Sequence, residues 1–307
     1  IAGATFVAPS IILSAYAGYL ADTMDKATLA RRLKIFEIVI MVCGAFALWT
    51  HNAYALFGVL LLLGVQSALF GPVKYSLLPA HLHDDELVQG NAYVEGATFL
   101  AILLGTILGG LIIAVQDGTH YIAMLVIVVA ILGSVASFGI PSAPPAPDSA
   151  AAEEGASTLA ILNEARSHRA VWLSILGISW FWAVGATLMS FVTPLAKDLL
   201  GGDEAVVSFL LATFSVGIAV GSLMCARQLR GEITPRPVPF AALAMSVLLV
   251  VFALAVAALP TPPATGRLLG DVLASPRARV VAATMFGLAV ASGFYAGPLY
   301  GVLQHEA

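Results

Sequence analysis

Nine apolar runs, most of them about as long as a bilayer is thick, leave this chain little choice of fold. A helix needs about 20 apolar residues to cross some 30 Å of hydrocarbon. The runs occupy 1–20, 35–50, 53–72, 91–116, 121–140, 170–195, 206–226, 238–259 and 279–303, spans a to i, of which b is short. In lipid every backbone polar group needs a partner within its own segment, so the runs predict helices. Composition agrees: 60% of residues are apolar and 10% charged, against about 25% charged in a soluble domain. The expectation is an all-α membrane protein with the 14 Lys and Arg between the spans or, for Arg279, at the edge of one. A net charge of −4, thinly spread, offers no basic face for nucleic acid. Cys43 and Cys225 lie in apolar stretches and read as buried thiols. No signal peptide precedes span a, and the chain opens inside an apolar run without Met, so it reads as a cut sequence.

Orientation follows from the cations between spans. Lys26, Arg31, Arg32, Lys34, Lys74, Arg166, Arg169, Arg227, Arg230 and Arg236 fall on one side; Lys197, Arg267, Arg277 and Arg279 fall on the other. Ten against four places the a–b side, and with it the Pro-, Ala- and Ser-rich segment 141–169, in the cytoplasm. That segment turns amphipathic towards its end and reads as a linker between two bundles, 1–140 and 170–307.

The two bundles resemble each other. "AGYLA" at the end of a is similar to "VGSLM" at the end of g, and "SALFGPVKYSLL" at the end of c to "SGFYAGPLYGVL" at the end of i. Both comparisons pair helices six apart running in the same direction. A parallel repeat of that period implies the major facilitator fold, two six-helix halves. On that reading nine of twelve helices are present, the first and the last two being absent.

The a–b loop "GYLADTMDKATLARR" resembles the major facilitator signature Gly-x-Leu-Ala-Asp-Arg-x-Gly-Arg-Lys, with matches at Gly18, Leu20, Ala21 and Asp22 and a cation at Lys26. It departs at Thr23 and Asp25, where the signature has Arg and Gly. The resemblance implies a gating role for Gly18, Asp22, Lys26, Arg31 and Arg32, with the Asp22 carboxylate set near a helix N-terminus. Enforcing topology is the other role these charges can have.

The stretch "GPVKYSLLPAHLHDDELVQGNAYVEGATFLAILLGTILGG" is similar to the lysophospholipid transporters of the major facilitator superfamily, through Lys74-Tyr75, Asn91, Glu95 and the "AILLG" run. The end of span i, "GFYAGPLYGVLQ", resembles theirs too. The resemblance implies movement of lysophospholipids from the outer to the inner leaflet of a bacterial inner membrane for reacylation. The wording "LPAHLHDDELVQGNA" looks closest to members fused to acyltransferase and acyl-protein ligase domains, so such an enzyme is an expected partner or fused domain. No acyltransferase motif is visible: His81 has Glu86 where that chemistry needs Asp, and His83 does not match either. The group His81, His83, Asp84, Asp85 and Glu86 fits no closed zinc pattern and reads as a solvated loop. No metal or cofactor is expected, and the chain reads as a transporter rather than an enzyme.

A lysophospholipid offers one phosphate and one acyl chain. Lys74 follows the Gly71-Pro72 break, which is expected to end or kink its helix. Asn91, Glu95 and Thr98 fall on one face of span d, and Gln66 lies inside span c. Lys74, Asn91, Glu95 and Gln66 are therefore the candidate substrate ligands, with Glu95 positioning Lys74. Lys74 can equally snorkel to the headgroups and pair with Glu95. The glycines of d, g and i read as close helix packing, and Trp180 and Trp182 as core or lipid-facing residues. The only acids in the spans, Glu37 and Glu95, sit near their ends, which favours flipping without proton antiport. Two other functions stay open: a proton-coupled exporter of amphipathic drugs on the same fold, and a membrane anchor feeding substrate to a fused acyltransferase.

Overall fold

The computed structural model describes residues 2–113, 115–145, 158–260 and 266–306. They form α1 (Ala2–Thr23), α2 (Lys26–Trp49), α3 (Ala53–His81), α4 (Asp84–Ile113), α5 (Gly118–Ser137), α6 (Thr158–Ser167), α7 (Arg169–Pro194), α8 (Glu204–Leu229), α9 (Pro237–Ala257), α10 (Leu269–Ala274) and α11 (Pro276–Glu306). A π-helical turn, Leu195–Leu199, extends α7. Among the described residues, β pairing is limited to an isolated bridge, Gly202 to Arg267. Arg267 clasps the loop before α8, with Nη1 on the Leu200 carbonyl at 3.3 Å and Nη2 on that of Asp271 at 2.7 Å.

Among the described residues, eight helices are long and apolar enough to cross a membrane. Helix α2 is long enough but is not among them, because Arg31, Arg32, Lys34 and Glu37 lie inside it. The cations do not sit only between helices, as the sequence suggests. Helices run on past the apolar runs wherever a cap or a neighbour supports the extra turns. Asp25 starts α2 early by accepting the Thr28 N–H at 2.7 Å. Asp203 does the same for α8 through the N–H groups of Ala205 and Val206. Nor does Gly71-Pro72 end a helix: α3 passes through Pro72 and Pro79 and stops at His81. Lys74 thus lies on α3, not after it. Cys225 is buried as expected, but Cys43 is exposed on α2. The linker carries the amphipathic helix α6, while 146–157 lie outside the described residues.

The chain divides into two compact units, Ile1–His81 with Leu108–Ser167, and Leu82–Ile107 with His168–Ala307. In the first, α1 packs on α3, and α2 on both α3 and α5. Its core gathers Ala21, Leu29, Ala30, Leu33 and Val73. In the second, α11 packs against α7, α8 and α9. The α8–α11 seam is a backbone contact. A Cβ added at Gly221 would strike the Val290 carbonyl, and one at Gly293 the backbone of Gly221 and Ser222. That is the close packing read from the glycine spacing. The first four-fifths of α4 thus groups with helices that follow the linker, although α4 precedes it.

Candidate functional site

Helix α4 starts after a two-residue join from α3, with Glu86 Oε2 accepting the His83 N–H at 3.0 Å. The acids expected in a solvated loop are therefore the first turn of a helix, where carboxylates suit the dipole. Asn91 and Glu95 follow on one face, 0% and 1% exposed; Thr98, half-buried, turns its hydroxyl back to the Val94 carbonyl at 2.7 Å. Asn91 is held by a residue that the sequence reading passed over. Its Nδ2 donates to Gln304 Oε1 at 2.6 Å, and its Oδ1 accepts from Gln304 Nε2 at 3.2 Å. A second Nδ2 hydrogen bond reaches the Leu87 carbonyl at 3.0 Å. Next to this pair in the sequence, His305 lies 3.5 Å from Asp84.

Aromatic rings from four helices meet beyond the amide pair. Trp182 Nε1 donates to the Tyr300 hydroxyl at 2.8 Å. Phe99 stacks on Trp182 at 6.4 Å between centroids and meets Phe214 edge-on at 6.2 Å. Trp182 is therefore tied into α4 and α11, whereas Trp180 is 61% exposed. An apolar cleft of about 480 Å³ opens between α4 and α8, lined among others by Ala92, Gly96, Leu100, Ala219 and Leu223. One helix thus presents a buried amide and a buried carboxylate on one face and an apolar cleft on the next.

The remaining candidates lie in the first unit. Lys74 is half-buried on α3, its Nζ 4.5 Å from the centroid of the Tyr75 ring. Gln66 is buried, but its Nε2 donates to Glu37 Oε2 at 2.9 Å. The same oxygen takes Lys34 Nζ at 2.8 Å, and Lys34 also lies 5.2 Å from the Phe70 ring centroid. Gln66 is thus joined to an ion pair between α2 and α3. Glu37 lies midway along α2 rather than near its end, because α2 begins before the apolar run.

The a–b loop is a tight turn clasped to the start of the linker. Asp25 Oδ2 accepts the Ser142 hydroxyl at 2.7 Å and the Ala143 N–H at 2.8 Å. The Lys26 N–H returns a bond to the Ala143 carbonyl at 2.9 Å. These donors, the Ser142 hydroxyl first and then Thr28, hold the Asp25 carboxyl well below the usual carboxylate range. Arg31 adds a bond from Nη2 to the Ile140 carbonyl at 2.6 Å and lies 5.7 Å from the Phe138 ring centroid. His81 places Nδ1 3.0 Å from the Leu77 carbonyl and Nε2 3.2 Å from that of Pro141. Both are acceptors, so only the doubly protonated imidazole donates to both. Of the other expected gating residues, Asp22 and Arg32 are exposed, and a Cβ on Gly18 would meet nothing within 4 Å. Asp25, a departure from the signature, is what binds the loop down.

A family model described as Major Facilitator Superfamily matches residues 1–307. The chain belongs to the Major Facilitator Superfamily. Its fold agrees: the structure of FucP, a Major Facilitator Superfamily transporter in the outward conformation, superposes with a TM-score of 0.64 over 99% of this chain and 78% of that one, at 13% identity. Membership of this superfamily fits a multi-pass membrane transporter rather than an enzyme. Lysophospholipid transporter LplT of Serratia proteamaculans is 29% identical over 81% of this chain and 61% of its own length. LplT of Escherichia coli O1:K1 is 27% identical over 98% of this chain and 70% of its own length. The chain thus spans about three-fifths of the first of these superfamily relatives.

Proposed function

We propose that this chain moves lysophospholipids from the outer to the inner leaflet of a bacterial inner membrane, where they become available for reacylation. The observation that carries this reading is the amphiphilic character of α4. Buried Asn91 and Glu95 stand on one face, and the next face walls an apolar cleft towards α8. A molecule with one phosphate and one acyl chain has the matching division. The names of the relatives support the substrate class.

On this reading Lys74 is a cationic ligand for the phosphate; Asn91 is an amide donor, and Glu95, on the same face of α4, positions the polar groups. Transport proceeds by alternating access. The a–b turn, with Asp22 and Lys26, and the linker clasped to it lie on the cytoplasmic side and take part in the gate. The test is leaflet-to-leaflet movement of labelled lysophosphatidylethanolamine in proteoliposomes holding the full-length protein, with and without a proton gradient. Movement without a gradient, lost in Lys74→Ala and partly kept in Lys74→Arg, is the expected result. Equal rates in both variants and wild type would make Lys74 a surface anchor. Movement only under a proton gradient would favour a coupled exporter.

A further inference from the structure

We propose that Gln304 is a positioning residue: its amide occupies Asn91 in the substrate-free protein, and an anionic headgroup must displace it to bind. The inference rests on the transport reading above and adds a regulatory step to it. A side-chain amide nitrogen has two hydrogens. At Asn91 both are engaged, one by the Leu87 carbonyl at 3.0 Å and one by Gln304 Oε1 at 2.6 Å. Asn91 is also fully buried, so no third direction is open. A phosphate, which recognises donors, finds none at Asn91 until Gln304 swings away.

Gln304 is built to swing. It sits in the last turn of α11, which ends at Glu306, and it is only partly buried, on a long side chain. The Gln304–Asn91 bonds are neutral on both sides. A bond from Asn91 to a phosphate oxygen is charge-assisted and about twice as strong. The exchange is therefore favourable for an anionic headgroup and unfavourable for an uncharged one. It has a mechanical side as well: the amide pair ties α4, from before the linker, to α11, from after it. Displacing Gln304 releases that tie when the right headgroup arrives.

A competitor inside the site lowers apparent affinity in proportion to the time the site is closed. The two Gln304–Asn91 hydrogen bonds make that factor about five- to hundredfold. The experiment measures binding of lysophosphatidylethanolamine, and of a monoacylglycerol with the same chain but no phosphate, to full-length protein in detergent. Wild type, Gln304→Leu and Gln304→Glu are compared, each checked for monodispersity and melting temperature. Gln304→Leu, which removes the competitor, is expected to bind the lysophospholipid about five- to hundredfold more tightly. Gln304→Glu, which keeps the acceptor and adds charge, is expected to bind it more weakly. Monoacylglycerol affinity stays level across all three. A merely structural Gln304 would shift both ligands together, or neither, and either result overturns the proposal while leaving the transport reading intact. Wild type that binds no lysophospholipid would overturn both.

Discussion

Gln66 Nε2 and Lys34 Nζ meet on one oxygen, Glu37 Oε2, at 2.9 and 2.8 Å. The three side chains join α2 to α3, and we propose that Gln66 acts there as a support. Gln66→Leu is expected to cost about 1–3 kcal/mol, the penalty for a lost partner at a buried polar group. Glu37→Leu removes the shared acceptor of Gln66 and the part-buried Lys34 and is expected to cost about 1–3 kcal/mol. Thermal unfolding of the purified protein measures both. Lipid movement per folded molecule stays unchanged in Gln66→Leu; loss of movement at wild-type stability would restore Gln66 to the substrate site.

Asp25 both caps α2 and holds Ser142 and Ala143. Asp25→Ala should lose the cap, at about 1 kcal/mol, and free the start of the linker to protease. Asp25→Asn keeps an acceptor for Thr28 but turns an NH₂ towards two donors, so the cap should survive and the clasp fail. The folded pKa is lowered from an unfolded value of about 3.9. The carboxylate's contribution is therefore complete above that value and disappears as pH falls through the folded pKa. The gap in melting temperature between wild type and Asp25→Ala is expected to be the same at pH 7 and pH 5 and to close only in strong acid.

The α8–α11 seam has no room for a side chain at Gly221 or Gly293. Valine at either position is expected to cost about 3 kcal/mol or more, the upper range for overpacking, because backbone atoms cannot turn aside. Gly297→Ala, where a Cβ meets nothing within 4 Å, should be neutral or stabilising. Size-exclusion profiles of the three variants separate the cases.

The cleft wall offers a test of the acyl-chain path. A Cβ at Gly96 would lie 3.7 Å from that of Ala219 across the cleft, so Ala219→Phe fills the space between α4 and α8. Transport of long-chain lysophospholipids should fall several-fold while short-chain substrates are retained. A uniform fall across chain lengths would place the acyl chain elsewhere.

The helices were legible in the sequence because bilayer thickness fixes how long an apolar run must be. Their ends were not. Asp25 and Asp203 extend α2 and α8 through caps that hydropathy does not register, and Pro72 is tolerated inside α3 although the dipeptide reads as a stop. Periodicity correctly put Asn91 and Glu95 on one buried face. It could not supply Gln304, since a face says nothing about which distant helix covers it. Gln304 stood in the "GVLQ" ending that carried the family resemblance, and one polar side chain closing a long apolar helix was the available signal. The Glu37 carboxylate beside Gln66 was hidden for the same reason: periodicity does not say which residue of a neighbouring helix meets a polar side chain. Asp25 could be seen as a departure from the signature, but its partners lie more than a hundred residues away.

Where Gly221 and Gly293 let α8 and α11 touch backbone to backbone, no side chain remains to rotate and absorb a slip. The two helices behave as one plank. Gln304 rides near one end of it, and Ala219, Val220 and Leu223, along its flank, form the cleft wall facing α4. On the proposed transport reading, unlatching the amide pair and widening the cleft are one movement, in which a single lever serves the headgroup end and the acyl end of the substrate.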